Sequence, residues 1–260
     1  PSFFRERVDF DFGGWARPSL ISHGAHPGDQ NIRDLDTRWW MQATLDDLHK
    51  FYLRTQLRFT DYNHGAGVDT WDGMNLDQAF YEVDLNRATG EYAGWKPFRG
   101  TWVVATGRQF EKLGRGLAYG RVDHSVVFRV TEGNWKVKGL VARTVHDSAD
   151  FDRSRPTRSR SDRAFWGAEV KYQGGDRHEP YLFGLTQDDQ NNQRPYNERQ
   201  NFRYDSRYYG AGLSGELFPR LRYQAEGVME QGESQAYNTA TQPRDLSSDI
   251  EAYAFTGALE

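Results

Sequence analysis

The chain has 260 residues, 33 basic against 37 acidic side chains for a net charge of −4, and no cysteine. The missing thiols exclude a disulfide framework, a thiolate metal site and a cysteine nucleophile, and the near balance of charge argues against a nucleic-acid partner. Mean hydropathy is −0.86 with 37% hydrophobic residues, yet 15% are aromatic. A disordered chain would be polar and poor in aromatics, and a soluble domain of this length would carry more Leu, Ile and Val. A transmembrane barrel needs no such core, because its strands face lipid on one side and water on the other.

No apolar run approaches the ~18–20 residues of a membrane-spanning helix, and Pro1 to Glu6 show no signal-peptide pattern. Period-2 alternation dominates instead. It predicts about twelve strands, at residues 8–15, 37–46, 50–62, 78–86, 102–109, 123–132, 134–146, 163–172, 178–187, 203–217, 221–232 and 249–260. The clearest is Phe51 to Phe59, where Phe51, Leu53, Leu57 and Phe59 share one face and Tyr52, Arg54, Gln56 and Arg58 the other. Most are near the ~9–11 residues a tilted strand needs to cross a bilayer.

The connections sort by parity. Short turns are expected at Asp46–His49, Glu132–Asn134, Gln173–Asp176 and Phe218–Arg220, and long polar loops at 16–36, 63–77, 110–122, 147–162, 188–202 and 233–248. The segment from Arg87 to Thr101 is of middle length where a short turn is due. Short periplasmic turns alternating with long extracellular loops are the mark of an up-and-down outer-membrane barrel; a soluble sandwich has no reason to sort its loops this way. The fold class read from the sequence is therefore all-β, an antiparallel up-and-down transmembrane β-barrel in a single domain over 1–260. The expected surroundings are a lipid bilayer and lipopolysaccharide.

Val103-Val104-Ala105-Thr106-Gly107-Arg108-Gln109, followed by Leu113-Gly114-Arg115-Gly116, resembles a strand of the alginate-export family of outer-membrane porins. The hairpin from Arg38 to Asp47 into Tyr52-Leu53-Arg54, and the run Leu76 to Leu85, are similar to segments of the same family. The resemblance covers about residues 38–145. It implies a barrel of about eighteen strands and passage of an anionic polysaccharide. With twelve strands in view, and a chain ending in mid-alternation at Leu259-Glu260, these residues are expected to be part of a larger barrel.

Assigning the apolar face of each strand to lipid puts Arg54, Arg58, Arg108, Arg129, Lys136, Lys138, Lys171 and Arg222 in the lumen. The acids Glu82, Asp84, Glu169, Glu226 and Glu230 join them. Of these, Arg54, Arg58, Arg108, Arg129, Lys136, Lys138, Glu82 and Asp84 are the candidate pore-lining residues. Rings of Arg and Lys select anions, and the planar guanidinium suits carboxylates. The same charges could equally brace the barrel wall. Aromatics at Trp39, Trp40, Tyr62, Tyr81, Trp102, Trp135, Trp166, Tyr172, Tyr181, Tyr208, Tyr209 and Tyr223 suit the membrane interfaces; inward rings such as Tyr52 could instead stack on sugars.

Several motifs do not carry chemistry. Gly210-Ala211-Gly212-Leu213-Ser214-Gly215 matches a dinucleotide fingerprint but no helix follows it. Glu82 and Asp84 share a strand face and could pass for a glycosidase pair, though lumen lining is the simpler account. His23 and His26 lack a third ligand, and Asp123-His124 lacks a serine in a nucleophile turn. The sequence thus reads as a pore passing anionic solutes across a bacterial outer membrane, with no cofactor, no metal and no catalytic residues. The competing reading is a soluble or surface-attached β-rich glycan-binding protein.

Overall fold

The computed structural model describes residues 7–25, 28–62, 70–95, 99–145, 162–174, 177–190, 200–219, 221–238 and 246–260. The chain falls into two units, Pro1–Val83 and Asp84–Glu260. The first holds β1 (Val8–Ala25), β2 (Gly28–Leu45), β3 (His49–Tyr62) and β4 (Thr70–Asp84). The second opens with α1 (Leu85–Tyr92) and continues through β5 (Thr101–Leu113), β6 (Tyr119–Glu132), β7 (Trp135–Thr144) and β8 (Arg163–Tyr172). Then come β9 (His178–Asp189), β10 (Gln200–Phe218), β11 (Leu221–Asn238) and β12 (Leu246–Leu259). Within each unit every strand pairs antiparallel with its sequence neighbours. The fold is all-β and up-and-down, as the alternation predicts. Among the described residues β1 pairs only with β2, and β12 only with β11.

The strands run longer than expected. β1 and β2 have 18 residues each and stay in register from Val8↔Leu45 to Ala25↔Gly28. The long loop expected at 16–36 is therefore a ladder. β5 and β6 likewise extend to Leu113 and Tyr119, which reduces the loop expected at 110–122 to residues 114–118. β10 and β11 continue the trend with 19 and 18 residues. Polar strand ends such as Ser22↔Asn31 still satisfy each other's backbone groups, so pairing persists where no apolar alternation announces it. Most of the loop expected at 147–162, and parts of those expected at 63–77, 188–202 and 233–248, lie outside the described residues. So do His26 and the side chains of His23 and Tyr62.

The short connections have local causes. Asp46 and Asp47 both take positive φ, 53° and 55°, which Asp tolerates better than most residues, and the Leu48 amide closes the turn on the Leu45 carbonyl at 3.0 Å. The middle-length connection contains α1. Asp84 caps it, its carboxylate accepting from the Asn86 and Arg87 amides at 3.0 and 3.1 Å. Asn86 then ties the helix to the start of β5 through the Gly100 carbonyl, at 2.8 Å.

The strands of each unit present one bare apolar face. In the first unit it carries Phe10, Phe12, Met41, Phe51 and Leu53; in the second, Val126, Val141, Trp166, Leu182, Leu213 and Phe255. Phe12 is 82% exposed and Phe255 81%. Its opposite in the second unit, hereafter the inner face, buries Leu113, Val127, Leu140, Phe165, Phe183 and Leu185 beside acids and bases. The G-x-G-x-x-G match of β10 sits on this face. Phe183 lies over Gly210 and Tyr181 over Gly212, so close that a Cβ at either glycine would come within 2.1–2.2 Å of a ring atom. The glycines make room for cross-strand rings. Tyr181 and Tyr208 consequently face inward, not toward the membrane interface. Trp102, Trp135, Tyr172 and Tyr223 do stand on the apolar face at the short-turn ends, with Trp135 and Tyr172 4.7 Å apart.

Gly210→Val should destabilise the folded sheet by ~1–3 kcal/mol through overpacking against Phe183. A urea titration of the protein in detergent micelles measures this, and an unshifted midpoint would show that the ring moves aside freely.

Candidate functional site

The candidate functional surface is the charged face that the strands of each unit present. In the first unit, strand alternation puts Asp34, Asp36, Arg38 and Trp40 of β2 beside Tyr52, Arg54, Gln56 and Arg58 of β3. Across β3 and β4 the register slips between Arg54↔Gln78 and Thr55↔Leu76, which makes Asp77 the extra residue of a bulge. A bulge re-aims a side chain. Here the Asp77 carboxylate accepts from Arg54 Nε at 2.6 Å and from an Arg38 terminal nitrogen at 3.1 Å. Asp36, 3% exposed, accepts from Gln56 at 2.9 Å and Arg38 at 3.4 Å. Asp34 accepts from Arg58 at 3.0 Å and Thr60 at 2.8 Å. Arg54 and Arg58 are thus held by carboxylates. Glu82 stands on the same face, opposite Lys50. Trp40, Tyr52 and Phe80 stack beside them, with ring centroids 6.3 and 5.1 Å apart.

Two of the predicted lumen residues lie elsewhere. Asp84 is the helix cap of α1, its carboxylate committed to backbone amides. Arg108 is on the apolar face. Ala105, Gln109, Glu111 and Leu113 are the buried side of β5, so Arg108 falls with Thr106 and Phe110. The sequence misleads there because Val103-Val104-Ala105 does not alternate and Arg108-Gln109 are both polar, leaving the parity open.

Arg129, Lys136 and Lys138 do stand on the inner face of the second unit. Arg129 is directly opposite Lys138, and in the next row Lys136 is directly opposite Lys171. Glu111 forms ion pairs with Arg129 and with Lys138, the latter at 3.6 Å, and Lys171 pairs with Glu179. No carboxylate lies within ion-pair distance of Lys136 among the described residues.

Sequence reading did not foresee the fate of the β5–β6 turn, residues 114–118. It folds over the inner face. The Gly114 amide donates to Glu169 at 2.5 Å and the Arg115 amide to Glu226 at 2.6 Å. Glu226, 3% exposed, also accepts from the Tyr181 hydroxyl at 2.7 Å. Lys138 adds a bond to the Lys112 carbonyl at 2.8 Å. Gly114 has φ +56°, and a Cβ there would meet Glu226 at 2.1 Å, so only glycine fits. Leu113 sits over Gly167, within 2.6 Å of where its Cβ would be. Glu169 and Glu226 were legible as inward acids; their use as anchors for a turn far away in sequence was not.

No protein-family model matches the chain, and no curated protein does. It is similar to solved structures of OmpT, an outer membrane protein of Vibrio cholerae. The in-vitro folded trimer form is 11% identical with a TM-score of 0.26, over 96% of this chain and 97% of that one. A loop L8 deletion mutant is 13% identical with a TM-score of 0.33, over 96% and 99%. The class rests on the chain's own construction. Antiparallel neighbours throughout each sheet, a bare apolar face and a charged opposite face make this a β-barrel protein of the bacterial outer membrane.

Glu226→Ala should release the 114–118 turn from the inner face. Cleavage by an added protease within these residues is expected to rise several-fold in the folded, detergent-solubilised protein; unchanged cleavage would show that Glu169 alone holds the turn.

Proposed function

We propose that the chain forms the wall of an outer-membrane pore that passes anionic solutes, with an anionic polysaccharide of the alginate kind as the class its family resemblance favours. The observation that supports this best is the pair of like-charged rows on the inner face, Arg129 opposite Lys138 and Lys136 opposite Lys171. Like charges directly opposed across strands are destabilising. Glu111, Glu179 and Glu169, which stands directly opposite Lys138 on its other side, offset part of that cost, and a passing anion can offset the rest. Arg54 and Arg58 contribute less to selection than their residue types suggest, because Asp77 and Asp34 already neutralise them. The weight of the selectivity falls on the row of Lys136 and Lys171, two lysines that share the one carboxylate of Glu179. The turn at 114–118, lying over the same face, narrows the path beside them.

Reversal potentials in a planar bilayer under a salt gradient test this reading. The natural protein should conduct and prefer chloride to potassium. Lys136→Glu combined with Lys171→Glu should abolish or reverse the preference, whereas Arg54→Gln combined with Arg58→Gln should alter it much less. A protein that inserts without conducting, or whose preference follows Arg54 and Arg58 instead, would refute it.

A further inference from the structure

The outer wall of the second unit carries a feature that passage of a solute does not use. Arg108 on β5 is directly opposite His124 on β6, which is directly opposite Arg143 on β7, all on the apolar face. The next row toward the short turns is Thr106, Val126, Val141 and Trp166. A charged residue on a lipid-facing strand is costly, by an amount that falls toward the interfaces, so the two arginines of this row call for a counter-charge. Arg143 has one in Asp162, held through two bonds of 2.8 Å. Arg108 has none among the described residues, and its Nε is buried without a hydrogen-bond partner.

Below this row the wall is hollow. One row further down, Phe128, Gly139, Ala168, Gly184 and Tyr209 lie side by side across β6 to β10. Three small residues between two rings leave a groove of about 570 Å³, bounded above by Val126, Val141 and Trp166. A Cβ added at Gly139 or Gly184 would meet nothing within 4 Å, so these glycines are not covered by neighbouring side chains. An apolar trough of this volume has room for part of an acyl chain, and the basic row runs parallel to it, two rows away on the side nearer the long connections, the outer-leaflet side.

We propose that this groove and the row Arg108, His124 and Arg143 form a binding site for a phosphorylated glycolipid of the outer leaflet, of the lipopolysaccharide type. The trough takes an acyl chain. Arg108 and Arg143 donate to a phosphate oxygen, the guanidinium fork matching its geometry, and His124 adds a third donor. The inference rests on the membrane placement of the sheet and is independent of what the pore conducts.

Lipid binding by the full chain in detergent, followed by native mass spectrometry, tests it. The probes are lipid A with its phosphates and lipid A from which they have been removed. The natural protein should bind the phosphorylated form at least about tenfold more tightly, the scale of one charge-assisted hydrogen bond. Arg108→Gln with Arg143→Gln should erase that difference. Gly139→Leu with Gly184→Leu, which fills the trough from two positions where an added Cβ meets nothing within 4 Å, should weaken both lipids alike. Equal affinity of the natural protein for the two lipids overturns the proposal and needs no variant. So does a trough-filled variant that binds lipid normally but loses self-association in detergent, since the face would then contact a second copy of the chain. Failure to conduct in bilayers with the lipid preference intact would count against the pore reading alone.

Discussion

Satisfaction of the backbone in a medium without water is the constraint from which the rest follows. Lipid offers no partner to an amide or a carbonyl. A chain with no long apolar helix can enter it only by pairing strand with strand. Pairing of sequence neighbours needs only short turns, and two of the connections here are built from local devices. Asp46 and Asp47 adopt positive φ, and Asp84 caps the helix α1 that replaces a turn. Once strands pair this way, successive side chains point to opposite media, and the polarity of a soluble protein is inverted. Phe12, Leu182 and Phe255 are bare, while Asp36, Glu111 and Glu226 are buried.

That inversion creates a second problem, which the charged faces solve by pairing. A buried carboxylate without donors would cost several kcal/mol. Asp77 bridges Arg38 and Arg54, Glu111 serves Arg129 and Lys138, and Glu226 receives a hydroxyl and a backbone amide. Under the proposed function, bracing and selection are therefore not alternatives for the face as a whole; they divide it. Charges with tight partners hold strands and turns together. Where two bases share one carboxylate, as Lys136 and Lys171 do with Glu179, positive charge is in excess of its partners.

The strand rhythm and the outward faces were legible because period-2 contrast is strong where one neighbour is lipid. Leu53, Leu57, Val126, Val141 and Val170 lie on the apolar faces, and Arg54, Arg58, Arg129, Lys136 and Lys138 opposite them. Legibility failed where that contrast weakens. The inner face of β5 to β9 packs Val127, Leu140 and Phe165 under an inward-folded turn, so both faces of those strands are partly apolar. Parity alone could not place Arg108. The extended part of β1 does not alternate, with Arg17-Pro18-Ser19 followed by the adjacent pair Leu20-Ile21, which hid the continued pairing of β1 with β2. The bulge at Asp77 and the anchoring of the Gly114 amide by Glu169 depend on residues 23 and 55 positions away from their partners, and no local pattern encodes such distances.

Glycine shows how one residue type serves two ends on the two sides of the same wall. At Gly210 and Gly212 the missing Cβ is replaced at once by Phe183 and Tyr181, whose rings cover the exposed backbone from the neighbouring strand. Those glycines are filled positions, and their value is close packing of the inner face. At Gly139 and Gly184, on the outer face, no neighbouring side chain takes up the space. A glycine in a strand interior weakens the strand by entropy and by absent packing. Where a ring compensates, the cost is met within the fold. Where nothing in the chain compensates, the compensating contacts must come from the surroundings, and for an outward-facing trough in an outer-membrane wall the surroundings are lipid.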